Sequence, residues 1–192
     1  MVLDNSALIV VNSKLLFQKD LQEVIDCFRE KYGSINSTNA PSDVLVARNL
    51  IQEYVKEDGE ILYVLKSGRK SLQPAVYRGV RAELATRLDL KDQREQVTQT
   101  IDRISQEQGF RNLLFIGGFA GEEVYTLLRE VSDAFPQGKY SRFFLEDALA
   151  FKRDDPLYKE KTLEHLRRFA IPMTYDPFNG LRVKPREVKV KK

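Results

Sequence analysis

Cysteine occurs once in these 192 residues, at Cys27. One thiol excludes a disulfide framework within the chain and any zinc site built from cysteines. It suits a reducing compartment, so the expected location is the cytoplasm. Cys27 sits between Asp26 and Phe28 in a stretch of helical spacing, where a small buried apolar side chain is its simplest role. Histidine also occurs once, at His165, between Glu164 and Leu166 on a charged segment. Ser–His or Cys–His chemistry would rest on that single ring, and no nucleophile is signalled beside it. No apolar run exceeds five residues, as in Ala7 to Val11. A membrane helix needs ~20, so none is expected. The start, Met1-Val2-Leu3-Asp4, has no basic segment before an apolar one, so no secretory leader is expected either.

What is present is a globular composition. Hydrophobic residues make up 42% and charged residues 31%, enough apolar surface to build a core rather than a disordered chain. The length suits one large domain. The net charge of +3 is uneven. Residues 181–192 carry Arg182, Lys184, Arg186, Lys189, Lys191 and Lys192 against Glu187 alone, a net +5 that leaves −2 on the rest. A basic tail on a nearly neutral body points to an anionic partner such as RNA or another polyanion, or to docking on a protein assembly. A solvated terminus is the competing reading.

Apolar spacing places the elements. Leu21, Val24, Ile25 and Phe28 recur at i, i+3, i+4 and i+7, a helix that Gly33 ends. Residues 33–43 read as a polar loop. Ala47, Leu50, Ile51 and Tyr54 mark a second helix, stopped near Gly59. The stretch EILYVLK, 60–66, reads as a buried strand, and SGRKSLQP turns the chain. Pro74 suits a first helical turn, continued by Val76, Val80, Leu84 and Leu88. Val97, Ile101 and Ile104 mark another helix. NLLFIGG, 112–118, is the second clear strand, followed by a helix through Val124, Leu127, Leu128, Val131 and Phe135. Asp155-Pro156 opens a last long helix, which Pro172 ends. Strands alternating with helices predict an α/β fold, a mostly parallel sheet flanked by helices, with one domain over 1–180 and a basic tail over 181–192.

Two loops have the residues to bind an anion. In FIGGFAGEE, 115–123, Gly117, Gly118 and Gly121 would let a phosphate or nucleotide approach the backbone at a helix N-terminus. The dinucleotide fingerprint fails there, because position 116 is Ile, and Glu122 and Glu123 oppose a phosphate. In LKSGRKSLQP, Lys66, Arg69 and Lys70 stand at the end of a strand, where open α/β sheets bind ligands. Arg78 and Arg81, one turn apart on the predicted helix, extend that patch toward a phosphodiester backbone.

Carboxylates offer a third chemistry. The opening VLDNSALI, 2–9, resembles the start of the PIN-domain ribonucleases, and DDPLY, 154–158, with AIPMTYD, 170–176, is loosely similar to the late segment of that family. The resemblance implies a metal-dependent ribonuclease. In it Asp4, Asp155 (or Asp154) and Asp176 hold Mg²⁺ or Mn²⁺, Ser6 supports Asp4, and the basic residues of 66–81 hold RNA. Val46 and Ala47 stand where the family's second acid is expected, and residues 60–140 lie outside the resemblance. The alternatives are a non-catalytic scaffold that docks through its basic tail, and a phosphate binder at Gly117–Gly121. The first strand decides between the ribonuclease and the scaffold. If it is Val2-Leu3, Asp4 can be a ligand. If it is Ala7–Val11, Asp4 cannot.

Overall fold

Five consecutive apolar residues need cover on both faces, and that is where the chain puts them. The first strand, β1 (Ser6–Val11), is buried along its whole length, as expected for a central parallel strand. The computed structural model describes residues 4–11, 42–57, 59–66, 74–78, 86–88, 93–135, 138–176 and 180–184. The helix expected over Leu21–Phe28, and Cys27 with it, lies outside them.

In chain order the described elements are β1, α1 (Ser42–Lys56), β2 (Glu60–Lys66), β3 (Pro74–Arg78), β4 (Thr86–Leu88), α2 (Gln93–Gln108), β5 (Asn112–Phe119), a π-type turn (Ala120–Val124), α3 (Tyr125–Ala134), β6 (Ser141–Ala150), α4 (Pro156–Leu166), β7 (Ile171–Asp176) and β8 (Gly180–Val183). They form one eight-stranded sheet, ordered β4-β3-β2-β1-β5-β6-β7-β8. The five strands from β2 to β7 run parallel. Antiparallel β3 and β4 finish one end and antiparallel β8 the other. The α/β class and mostly parallel sheet are as the spacing predicts.

The period of two along the strands sorts the core into two layers. Ala7, Ile9, Val11, Leu113 and Phe115 pack against Val97, Ile101 and Ile104 of α2, Leu128 and Val131 of α3, and Leu166 of α4. Leu8, Val10, Leu114 and Ile116 pack on the other face against Ala47, Leu50 and Tyr54 of α1. Each fully buried aliphatic or Phe side chain contributes about 1.5–3 kcal/mol of transfer free energy.

Three elements differ from expectation. The helix predicted from Pro74 is instead β3, with Leu62 opposite Arg78 and Lys66 opposite Pro74, followed by β4. Val76 and Tyr77 suit a strand. Pro74 is tolerated because β4 reaches only Val76–Arg78, so no second ladder needs its missing N–H. β6 went unrecognised because Glu146 and Asp147 interrupt its apolar pattern. β8 takes Leu181–Val183, the start of the basic segment, into the sheet.

Asp155 is the N-cap of α4, and its Oδ1 accepts the Leu157 amide at 3.1 Å. Asp155→Ala is expected to cost about 1 kcal/mol, the usual loss of a helix cap. Urea unfolding of the two proteins measures it.

Candidate functional site

Strand order decides where an open parallel sheet offers a crevice. β1 is followed by β2 on one side, and β5 continues into β6 on the other. The C-terminal ends of β1 and β5 therefore mark the point where the order reverses, the usual place for a ligand. Gly117 stands there with φ +93°, and a Cβ on it would lie 2.5 Å from the Val11 carbonyl oxygen. Only glycine combines that conformation with that approach.

Beyond Gly117 the chain passes through Gly118 and Phe119 into the π-type turn, where the Tyr125 amide donates to the Ala120 carbonyl. Such wide turns recur at functional sites. Glu123 reaches back, its Oε2 accepting the Phe119 amide at 3.1 Å. Glu122 is ion-paired with Lys152, just past the end of β6. That bond to Glu122 holds the Lys152 ammonium above its usual range, and Nζ lies 5.6 Å from the centre of the Phe119 ring. Gly121 faces α4, and a Cβ there would sit 3.0 Å from the Tyr158 hydroxyl.

β6 separates from β5 beside this turn. Phe115 is opposite Phe144, but Gly117 is opposite Leu149, so four residues of β6 face Ile116 alone. Bulges of this kind re-aim side chains. Here Asp147 accepts the Tyr175 amide of β7 at 3.0 Å. Glu146, its side chain 9% exposed, holds Arg167 at 2.8 Å and Lys184 at 2.7 Å. Neither acid was signalled in the sequence, because two acids within an apolar run carry no spacing of their own.

The carboxylate trio does not assemble. Asp4 precedes β1, exposed in a turn where Asn5 has φ 49° and the Asp4 carbonyl accepts the Asn112 side-chain amide. Asp176 ends β7, parallel to β1, at the opposite edge of the sheet. Six strand residues, about 20 Å, separate the two edges. Asp155 caps its helix, and Asp154 pairs with Lys159 at 2.5 Å. Among the described residues no three His, Cys, Asp or Glu side chains group as metal ligands. Ser6 is buried within β1, 2.6 Å from the Tyr54 hydroxyl.

Only two residues of the basic patch lie among the described ones. Lys66 and Arg78 stand at opposite ends of the β2–β3 ladder, four residues or about 13 Å apart along β2. Arg69, Lys70 and Arg81 lie outside the described residues. The phosphate reading of Gly117, Gly118 and Gly121 meets the two acids. Glu123 already takes the Phe119 amide, and Glu122 and Glu123 against Lys152 leave the turn net negative. His165 is exposed, its ring 6.2 Å from that of Tyr125.

No protein-family model matches this chain, and no curated protein matches it by sequence. Its fold is shared with solved structures at low identity. A MAR1 ribonuclease from Caenorhabditis elegans superposes with a TM-score of 0.53 at 14% identity, over 88% of this chain and 76% of that one. A pyrazinamidase of Pyrococcus horikoshii, solved in complex with zinc, gives 0.52 at 12% identity over 89% and 99%. An isochorismatase family protein from Desulfovibrio vulgaris gives 0.50 at 14% over 85% and 90%. These likenesses establish the fold. The PIN-domain resemblance and the RNA-cleaving role drawn from it fall on the carboxylates: Asp4 and Asp176 stand on opposite edges of the sheet, and no family model supports the resemblance. Among the described residues no helix is long and apolar enough to cross a membrane.

Proposed function

We propose that this chain binds a small neutral amide in the crevice above the C-terminal ends of β1 and β5, and that hydrolysis of that amide is its activity. The observation that carries the reading is the charge pattern at the turn after β5: two carboxylates, one ammonium and a glycine backbone within one turn of each other. An amide offers a carbonyl acceptor and N–H donors without net charge. Lys152 supplies a donor and Glu122 an acceptor, while a dianion is repelled. The fold shared with a pyrazinamidase supports the same class of ligand.

Hydrolysis needs a nucleophile with a base beside it. Among the described residues at this edge none is Cys, Ser or His. The pyrazinamidase with this fold was solved with zinc, but the described carboxylates do not converge, and no step is drawn through a metal.

Pyrazinamide is a direct probe. We expect it to raise the melting temperature saturably and to release ammonia on incubation, with Lys152→Ala weakening the half-saturating concentration about tenfold. Repeating the assay with Zn²⁺, Mn²⁺ and Mg²⁺ tests metal dependence. Neither stabilisation nor ammonia with any of a panel of small amides would overturn the reading.

A further inference from the structure

The outer edge of β8 is the end of the sheet, and among the described residues no strand pairs with it. Its hydrogen-bonding direction follows from one contact: the Lys184 amide donates to the Pro172 carbonyl at 3.0 Å. Main-chain groups alternate sides along a strand. Lys184, Arg182 and Gly180 therefore face β7, and the N–H and C=O of Leu181 and Val183 face outward. The β7 side agrees. Tyr175, opposite Leu181, turns its N–H the other way, toward β6, where Asp147 accepts it.

Natural sheets protect such an edge with charge, proline or cover. Here the protection is partial. Val183 is 56% exposed and Ile171 41%. The register puts both side chains on the face of Met173, so two of the three exposed large hydrophobics among the described residues form one patch beside the open edge. Arg182 is exposed on the other face, and the segment from 181 to the end carries +5.

From this we propose that β8 is a docking edge for an extended acidic peptide of a partner protein, which adds as a ninth strand. The outward pairs of Leu181 and Val183 supply main-chain bonds, Val183 and Ile171 receive apolar side chains, and exposed Arg182 on the other face selects an acidic neighbour. A second copy of this chain is the wrong occupant. Edge pairing of two copies in any register would bring two segments of net +5 together, and like charges in that position repel. A nucleic acid would use the charge but not the alternating main-chain groups or the apolar patch.

The test uses the full chain and a fluorescent heptapeptide of alternating Glu and Val, followed by polarisation at low salt. Saturable binding is expected, with none for the matching Lys–Val peptide. Val183→Pro removes one outward N–H without touching the ladder to β7, and is expected to weaken binding about tenfold or more. Hydrogen exchange at the Leu181 and Val183 amides of the unsubstituted protein is expected to slow when the peptide binds. No binding, unchanged binding by Val183→Pro, or unchanged exchange at these two amides overturns the proposal. Displacement of the peptide by inorganic polyphosphate with no effect of Val183→Pro would do the same, marking the segment as a polyanion site.

Discussion

Gly117→Ala is expected to remove about 2–6 kcal/mol of stability, and Gly117→Val to leave no folded protein. Two costs add at this position. A side chain at φ +93° costs about 1–3 kcal/mol in backbone strain. The added Cβ would also lie 2.5 Å from the Val11 carbonyl oxygen, which is backbone in the centre of the sheet and cannot swing aside, so β1 and β5 must separate at a further cost of about 1–3 kcal/mol. Against a typical total of about 5–15 kcal/mol, the loss is decisive. Gly138 is the control. It has φ +104° but nothing within 4 Å of an added Cβ, so alanine there carries only the strain, about 1–3 kcal/mol. Urea unfolding of the two alanine variants separates strain from collision. Equal losses would show that Val11 does not crowd the site, and would weaken the case for a crevice shaped by Gly117.

Alkali is expected to produce the second large effect. Burial pushes the Tyr54 hydroxyl up to about 12, against 10.0 for the free group. The carboxylate of Glu53, whose Oε1 accepts the Tyr175 hydroxyl at 2.6 Å, pushes Tyr175 up to about 12 as well. Burial, with the bond to Asp102, does the same to Tyr140. Each group is harder to ionise folded than unfolded. The stabilisation is therefore complete below pH 10 and is lost as pH rises from about 10 to about 12. For Tyr54, with no exposed surface, two pKa units correspond to roughly 2–3 kcal/mol. Tyr175 and Tyr140 contribute less, because solvent screens their acidic partners. Tyr54→Phe is expected to cost about 1 kcal/mol at neutral pH, through the lost bond to Ser6, and to flatten the alkaline decline. Unfolding free energies followed from pH 8 to 11, with tyrosinate absorbance in parallel, measure both. An unchanged slope in Tyr54→Phe would assign the decline to other groups.

The same physics marks what could be read from one dimension. Strands β2 and β5 and helices α1, α2, α3 and α4 were legible because each declares itself locally. Leu62 and Val64, or Leu113 to Ile116, are apolar without interruption, and Val97, Ile101 and Ile104 repeat at helical spacing. β3 was misread because Val76, Val80, Leu84 and Leu88 also recur every four residues. What overrides that spacing is the exposed hydrogen-bonding edge of β2, a partner the sequence does not display. β6 hid behind Glu146 and Asp147, whose reason for lying in a strand is cations and an amide distant in sequence: Arg167, Lys184 and Tyr175.

For the site, the sequence by itself determined the glycines, the acids Glu122 and Glu123, and the α/β class that would hold them, but did not mark Lys152. It also limited the chemistry, since one cysteine and one histidine exclude most nucleophile–base pairs and every cysteine-built metal site. Only the tertiary structure decided which residues meet. It placed the start of β1 at Ser6, putting Asp4 and Asp176 on opposite edges of the sheet and ending the metal reading. It brought Lys152 onto Glu122 across thirty positions of chain. It turned the first residues of the basic segment into an edge strand with two outward main-chain pairs. The division has one cause: hydrophobic period and backbone preference act over a few residues and are written locally, whereas strand order and register depend on which partner buries each face, and those partners are distant in the chain.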